Sequence, residues 1–264
     1  MLEGIIFGIA QGVAEWLPVS SEGVIVLIKT NFFGGGGLES IVKFALFLHL
    51  GTALAATIYF RKDVAEILKT LFHYKRATLE NKNIFNFLFI STLISGILGL
   101  ILIKLLSGAD DALGQSSKII NFTVGGLLLI TAYLQFKKKK ISSIRTPENI
   151  KTSDSVIMGI VQGFAALPGL SRSGLTVASL LLLKFDEEQA LRLSFLMSIP
   201  IVLAGNVLLN IKDFNPSPEN LLGFLFSFIF GLATIHILLK VAKKINFAYF
   251  VLIFGLFMVA IALL

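Results

Sequence analysis

Two short stretches place polar and charged side chains inside sequence that is otherwise almost wholly apolar. Residues 8–23 read GIAQGVAEWLPVSSEG, and residues 159–174 read GIVQGFAALPGLSRSG. The first supplies Glu15 at the end of an apolar run and then Ser20, Ser21 and Glu22 beyond Pro18. The second supplies Ser171, Arg172 and Ser173 beyond Pro168. Hydroxyls and a guanidinium fork are donors suited to phosphate oxygens, and a carboxylate can take up a proton. Helices that start just after Ser20-Ser21 and just after Ser171-Arg172-Ser173 point free N–H groups and positive dipole ends at one ligand. Gly23 and Gly174 let the backbone come close to it. The chemistry implied is recognition of a phosphate-like anion. Nothing in the chain resembles the Gly-x-x-x-x-Gly-Lys-Ser/Thr run of a nucleotide P-loop. A buried Glu–Arg ion pair that only joins two segments is the plainer reading of the same charges.

The elements that must position these groups are membrane elements. The 264 residues are 55% hydrophobic and 15% charged, with a mean hydropathy of +0.86; soluble domains carry about 25% charge. The absence of cysteine rules out disulfides, thiolate metal sites and cysteine nucleophiles. Three histidines, His49, His73 and His236, are too few for a histidine-built metal site to be expected. A net charge of +7 suggests nucleic acid until the cations are placed. They sit mainly in short segments between apolar runs, so no nucleic-acid partner is expected.

Six runs are long enough to span a bilayer, about 40–60, 84–106, 118–136, 190–211, 220–240 and 245–264. Residues 2–28 and 155–184 are each broken into pieces too short to span, which predicts two re-entrant hairpins. The N-terminus lacks the charged start and cleavage site of a signal peptide and is expected to stay in the fold. Segments 61–83, 137–154, 184–192 and 240–244 carry 17 of the 23 Lys and Arg, against 5 in 29–43, 104–118 and 212–219. The first set is therefore expected to be cytoplasmic, with Lys137-Lys138-Lys139-Lys140 as its strongest anchor. Each half then reads as a hairpin followed by three spans, the second half with opposite sense. Gly, Ile, Gln and Gly recur in register in the two broken runs, and the closing Ser-x-x-Gly recurs too. The expectation is an all-α polytopic membrane protein. It would be a single integral membrane domain, 1–264, made of two inverted-topology repeats, about 1–140 and 150–264. Paired interrupted segments of this kind point to a site near the midplane. Charges there cost about 2.5–3.5 kcal/mol each on insertion scales, which makes Glu15, Glu22 and Arg172 functional candidates.

QGVAEWLPVSSEG (11–23) and LPGLSRSG (167–174) resemble the two signature motifs of the undecaprenyl-diphosphatase, or bacitracin-resistance phosphatase, family. FLHLGTALAATIYFRKD (47–63) and RLSFLMSIP (192–200) resemble the same family at similar spacing. The resemblance covers essentially the whole chain. It implies a multi-pass hydrolase of the cell (plasma) membrane that removes one phosphate from a C55 polyprenyl diphosphate, recycling the carrier lipid for cell-wall polymers. It also implies catalytic roles for Glu15, Ser21 and Arg172, with Ser20, Gly23, Ser171, Ser173, Gly174, Gln11, Gln162 and His49 as substrate-binding candidates. Two positions depart from the family pattern. Gln11 stands where a carboxylate is usual, and the Ser-Ser-Thr/Ser-Gly-His run has Glu22 and Val24 in place of its hydroxyl residue and histidine.

On that resemblance a divalent cation, Mg²⁺ or Ca²⁺, is expected at Glu15 and Glu22, with Glu22 making up for Gln11. His49, in the next span, could approach the cavity, while His73 and His236 read as structural. Ser21, or a water activated by Glu15, attacks the terminal phosphorus; spacing does not choose between them. The partners expected are the polyprenyl diphosphate and membrane lipids, and a homodimer is left open. The competing class is a polyprenyl-phosphate carrier or flippase that hydrolyses nothing, because inverted repeats with broken helices also build carriers.

Overall fold

The computed structural model describes residues 1–33, 38–106, 145–167, 170–209, 217–244 and 247–263, and eleven further positions between 119 and 136. The Lys137–Lys140 run, much of the expected span 118–136, and Pro168-Gly169 of the second break lie outside the described residues. Among the described residues, α-helices with defined bounds follow in chain order: α1 (Leu2–Ala14), α2 (Ser21–Phe32), α3 (Leu38–Tyr59), α4 (Arg61–Phe72), α5 (Leu79–Leu106), α6 (Thr152–Phe164), α7 (Arg172–Leu182), α8 (Glu187–Leu209), α9 (Pro218–Ala242) and α10 (Phe247–Leu263). The described positions of 119–136 are helical as well. Among the described residues there is no strand, only an isolated bridge between Arg145 and Phe185.

Three helices, Leu79–Leu105, Glu187–Leu209 and Pro218–Ala242, are long and apolar enough to cross a membrane. A fourth crossing is present if Lys43–Tyr59 and Arg61–Phe72, bent by 86°, form one broken span. The two interrupted runs fold as short helix pairs. α1, α2, α6 and α7 have 13, 12, 13 and 11 residues. At 1.5 Å per residue each is about 16–20 Å long, short of a ~30 Å hydrocarbon core.

Segment 61–83 departs from the sequence expectation of a simple basic loop. Its first half is the helix α4, followed by a 3-10 turn at Tyr74–Arg76. Val64 and Ile67 pack against the main core cluster and Thr70 is buried, while Arg61, Lys62 and Lys69 face outward. The charge density hid an amphipathic pattern. Arg192 of α8 bonds Asp63 and holds α4 in place.

Small residues set which helices touch. α1 packs along α9, where Gly4, Gly8 and Gly12 meet the backbone of Glu219, Gly223 and Ser227–Gly231. α6 packs along α5, where Gly159 and Gly163 meet Ser91, Ile94 and Leu98. This spacing of glycines lets helix backbones approach closely in lipid. A Cβ added at Gly12 would lie 2.8 Å from Gly231 N, Ser227 O and Phe230 Cβ. Gly12→Ala is therefore expected to cost about 1–3 kcal/mol, as overpacking does. Thermal unfolding in detergent checks it, with Gly126→Ala as the comparison, since a Cβ there meets nothing within 4 Å.

The entrance to α6 is fixed by Arg145, whose guanidinium bonds the Asp154 carboxylate. Lys151 N–H donates to the same carboxylate at 2.7 Å. Burial pushes the Asp154 carboxyl up, but these hydrogen bonds outweigh it and hold it below its ordinary value.

Candidate active site

The tips of the two short helix pairs meet. Ser20 caps α2, its Oγ accepting from Gly23 N at 3.2 Å. Ser171 caps α7 in the same way, accepting from Gly174 N at 3.1 Å. Val24 N–H and Leu175 N–H then close the first turns onto Ser20 O and Ser171 O. The N–H groups of Ser21, Glu22, Arg172 and Ser173 are left as the open ends of their helices. The tips are stitched together by backbone: Ser171 Oγ and Ser173 Oγ donate to the carbonyl of Leu17 at 3.2 and 2.7 Å. Gly174 seats against Pro18, which a Cβ would approach to 3.1 Å.

Glu15, at the C-terminus of α1 and only 6% exposed, is the hub. Its Oε1 accepts from Arg172 Nη2 at 2.5 Å. Its Oε2 accepts from Gln11 Nε2 at 2.9 Å and Ser21 Oγ at 2.9 Å, and lies 3.1 Å from His49 Nε2. Four side chains from α1, α2, α3 and α7 thus converge on one carboxylate. Arg172 is also held by its second nitrogen, Nη1 donating to Ser194 O at 3.2 Å, and its Cζ lies 5.7 Å from the Trp16 ring centroid. Trp16 is fully buried and packs on Phe195, ring centroids 4.6 Å apart. His49 Nδ1 lies 2.6 Å from Ala45 O. A carbonyl only accepts, so the Nδ1 hydrogen is fixed there and Nε2 faces Glu15 and, at 3.5 Å, Ser21 Oγ.

These groups border a cavity of about 700 Å³. Glu15, Ser20, Ser21, Glu22, Gly23, His49, Ser171, Arg172 and Ser173 form its polar end. Gln162, the counterpart of Gln11, also borders it but is not a partner of Glu15; its Nε2 donates to Ser95 Oγ at 3.0 Å and its Oε1 has no partner. Gln11 touches Glu15 from behind and is not part of the cavity wall. His73 caps the end of α4 and His236 pairs with Tyr59 OH at 3.3 Å, both exposed and away from the cavity. Sequence reasoning missed the fixing groups: the carbonyls of Leu17, Ala45 and Ser194, the Trp16 face, and Thr176, whose Oγ1 lies 2.6 Å from Ser194 Oγ. Trp16, Leu17 and Ser194 lie in the stretches quoted above, but a carbonyl or ring that holds another side chain in place has no residue signature.

Among the described residues no group of three or more His, Asp or Glu side chains could hold a metal ion by protein ligands alone. The donor chemistry still suits a hard cation shared with a substrate. Glu15 already accepts from four neighbours, about the capacity of a carboxylate. Glu22 borders the cavity, and among the described residues none forms a hydrogen bond or ion pair with its side chain. Mg²⁺ is commonly bound by one or two carboxylates completed by substrate phosphates and water.

Comparison with known proteins identifies the family. Residues 4–261 match the family described as Bacitracin resistance protein BacA. A protein of Methanococcoides burtonii named undecaprenyl-diphosphatase is 42% identical, over 94% of this chain and 93% of its own length. One of the same name from Haloarcula marismortui is 38% identical, over 97% and 94%. Undecaprenyl-diphosphatase 2 of Halalkalibacterium halodurans is 36% identical, over 79% and 73%. The family match runs through both helix tips, and the chain belongs to the BacA family.

Proposed function

We propose that the chain hydrolyses a polyprenyl, undecaprenyl-type diphosphate to the monophosphate and phosphate, recycling a carrier lipid, and that it does so at the meeting point of the two helix tips. The observation that carries the assignment of the site is the convergence of Ser21, His49 and Arg172 on Glu15 across segments far apart in sequence. Phosphoryl transfer needs positioning and charge stabilisation above all. Arg172 presents a fixed fork, and the open ends of α2 and α7 present N–H groups and positive dipole ends to the same oxygens. The nucleophile is Ser21 Oγ or a water in its place. Its oxygen bonds to the terminal phosphorus as the bond from that phosphorus to the bridging oxygen breaks, and Glu15 takes the proton. The polyprenyl monophosphate leaves with the bridging oxygen; where Ser21 is the nucleophile, a water then attacks the phosphoserine phosphorus, the Ser21 O–P bond breaks, phosphate leaves and Ser21 Oγ regains a proton. A divalent cation held by Glu22, and by Glu15 once one of that carboxylate's four present donors is displaced, would neutralise phosphate charge when bound.

The architecture belongs to the proposal too. α1–α2 and α6–α7 act as re-entrant hairpins opening two inverted repeats, about 1–140 and 150–264, with six spans in a single domain. Three correspondences support this reading. Ser20 and Ser171 cap alike, Gln11 and Gln162 occupy matching places, and α1 lies on α9 as α6 lies on α5. The uneven placement of Lys and Arg supports cytoplasmic loops at 61–83 and 137–154 and a location in the cell membrane. Every residue named in the reaction belongs to one chain, so the scheme is the same in a monomer or a homodimer.

The test is phosphate release by the purified protein in detergent, from C55 polyprenyl diphosphate, with Mg²⁺, with Ca²⁺ and with chelator. Release that depends on the cation is expected. No release in detergent, combined with movement of polyprenyl phosphate across vesicles, would replace the hydrolase by a carrier. The role of Glu22 has its own check. Glu22→Gln is expected to raise the metal concentration for half-maximal activity by about tenfold, one lost ligand, with excess metal restoring the rate. An unchanged midpoint would remove Glu22 from the cation site.

A further inference from the structure

The helix α4 leaves α3 at 86° and carries two kinds of side chain on the side it does not bury. Arg61, Ala65, Leu68 and Phe72 recur there at helical spacing, with Leu71 beside them. Leu68 is 52% exposed, Leu71 53% and Phe72 77%. Lys62 and Lys69 flank this stripe along one edge, and Lys75 and Arg76 follow it, all exposed. The acids of the same stretch are engaged by protein donors. Asp63 is bonded by Arg192, and Glu66 by Lys69 at 2.7 Å and Asn81 Nδ2 at 3.2 Å. An apolar stripe beside a basic edge, on a helix of low overall hydrophobicity, is the pattern of a helix lying in a lipid–water interface. α4 is also tied to the active site through α8. Arg192 Nε donates to Asp63 at 3.0 Å, and its Nη1 lies 3.7 Å from Glu80 of α5. Two residues on, Ser194 O holds Arg172 Nη1. Phe60, the N-cap of α4, packs on Phe195, and Phe195 packs on Trp16.

We infer that α4 docks on an anionic lipid surface, and that this docking, passed through Asp63 and Arg192, sets the position of Arg172 and with it the rate. The effect on rate rests on the hydrolase reading above; the docking does not. With α3 as a span, the 86° bend lays α4 along the membrane surface. Leu68, Leu71 and Phe72 then enter the boundary of the acyl chains, and Lys62 and Lys69 reach the headgroups. A soluble acidic partner would meet the cations but would not need bulky apolar groups lying where the bilayer is. Charge decides which lipid is bound. Each Lys or Arg near an acidic surface strengthens binding about fivefold, whereas a zwitterionic surface leaves only the apolar anchoring. Docked, α4 fixes Asp63, and Asp63 fixes Arg192 and the first turns of α8. Ser194 O is then held where Arg172 has both of its anchors. Undocked, Arg192 loses a fixed partner and the Arg172 fork is held from the Glu15 side alone.

The chain has no cysteine, so Phe72→Cys takes a single environment-sensitive NBD label. The label should be blue-shifted and quenched by doxyl lipid in vesicles of phosphatidylcholine and phosphatidylglycerol in equal parts, and much less so in phosphatidylcholine alone. Lys62→Gln combined with Lys69→Gln should remove that difference. Unlabelled protein in the same two vesicles gives a ratio of kcat/KM on C55 diphosphate. Relative to wild type, this ratio is expected to fall about fivefold or more in the paired lysine variant. The same fall is expected in Asp63→Asn, where the label stays docked. Damage to the fold lowers both rates and leaves their ratio, so the ratio reads the coupling. Effects of the acidic lipid on cation and substrate are common to all variants and drop out of the comparison. Trp16, the one tryptophan, reports without turnover. Its emission should differ between the two vesicles in wild type and not in Asp63→Asn. A label that stays in water, or docks equally in both vesicles, overturns the anionic-lipid site. Wild-type ratios in both variants, or a Trp16 emission blind to the lipid, overturn the coupling. If no phosphate is released in either vesicle while the label docks and Trp16 responds, the hydrolase reading fails and the lipid site stands.

Discussion

Exchange of Glu15 for glutamine is expected to lower phosphate release by about a thousandfold or more and to destabilise the protein at the same time. The carboxylate is the proton acceptor in the proposed reaction, and general-base catalysis is worth about 10²–10⁴. It is also the counter-charge that keeps Arg172 and His49 together in a buried place, with side-chain exposures of 14% and 12%. Removing one member of a buried ion pair costs about 3–5 kcal/mol, because the partner is left uncompensated. The two effects separate in a double-mutant cycle. Glu15→Gln combined with Arg172→Met removes both the carboxylate and the stranded guanidinium, so stability should return in large part while activity stays absent. The measurements are phosphate release and thermal unfolding for the two single variants and the pair. A Glu15→Gln protein that keeps a tenth of wild-type activity would move the base elsewhere.

Arg172→Lys is the second large effect, with an expected loss of about a hundredfold or more in kcat/KM and normal membrane insertion. The guanidinium uses one nitrogen on Glu15 and another on Ser194 O, and its Cζ lies over the Trp16 ring. An ammonium keeps the charge, but it is a compact point donor without the fork or the plane. It can pair with Glu15 or reach toward Ser194 O, but it cannot be held from both sides while presenting donors to phosphate. Kinetics on C55 diphosphate and a folding check by thermal unfolding decide it. A lysine variant with wild-type kcat/KM would reduce Arg172 to an ion-pair partner.

The site was legible in sequence where chemistry is encoded by neighbours along the chain. The sequence places helix starts after Ser20-Ser21 and after Ser171-Arg172-Ser173; the structure begins α7 earlier, at Arg172, because Ser171 takes the cap as Ser20 does for α2. Glu15 and Arg172 stood out because charge in an apolar stretch demands a partner, and they are each other's partner. His49 was open in sequence because its approach depends on how α3 crosses α1 and α2, a matter of packing; the structure places it 3.1 Å from Glu15. Gln162 matched Gln11 by register, yet it faces Ser95, because Ala166 stands where the first half has Glu15. The same limit explains α4. Six cations between 61 and 83 read as a loop because the count ignores their angular placement, which puts Val64 and Ile67 on the core side.

The clasp of α1 by α9 also has a consequence in time. Gly4, Gly8 and Gly12 leave the ribosome about 220 residues ahead of Gly223, Ser227 and Gly231. At roughly 5–20 residues per second, α1 waits about 10–45 s for the surface that fits it. Through that interval a helix too short to span, ending in a carboxylate, must be parked at the bilayer or held by the insertion machinery. α6 faces no such delay, because α5 precedes it and is already in place. The nascent chain is thus most exposed to degradation through its first hairpin, and truncations anywhere before residue 231 should be cleared by membrane proteases while full-length chains persist.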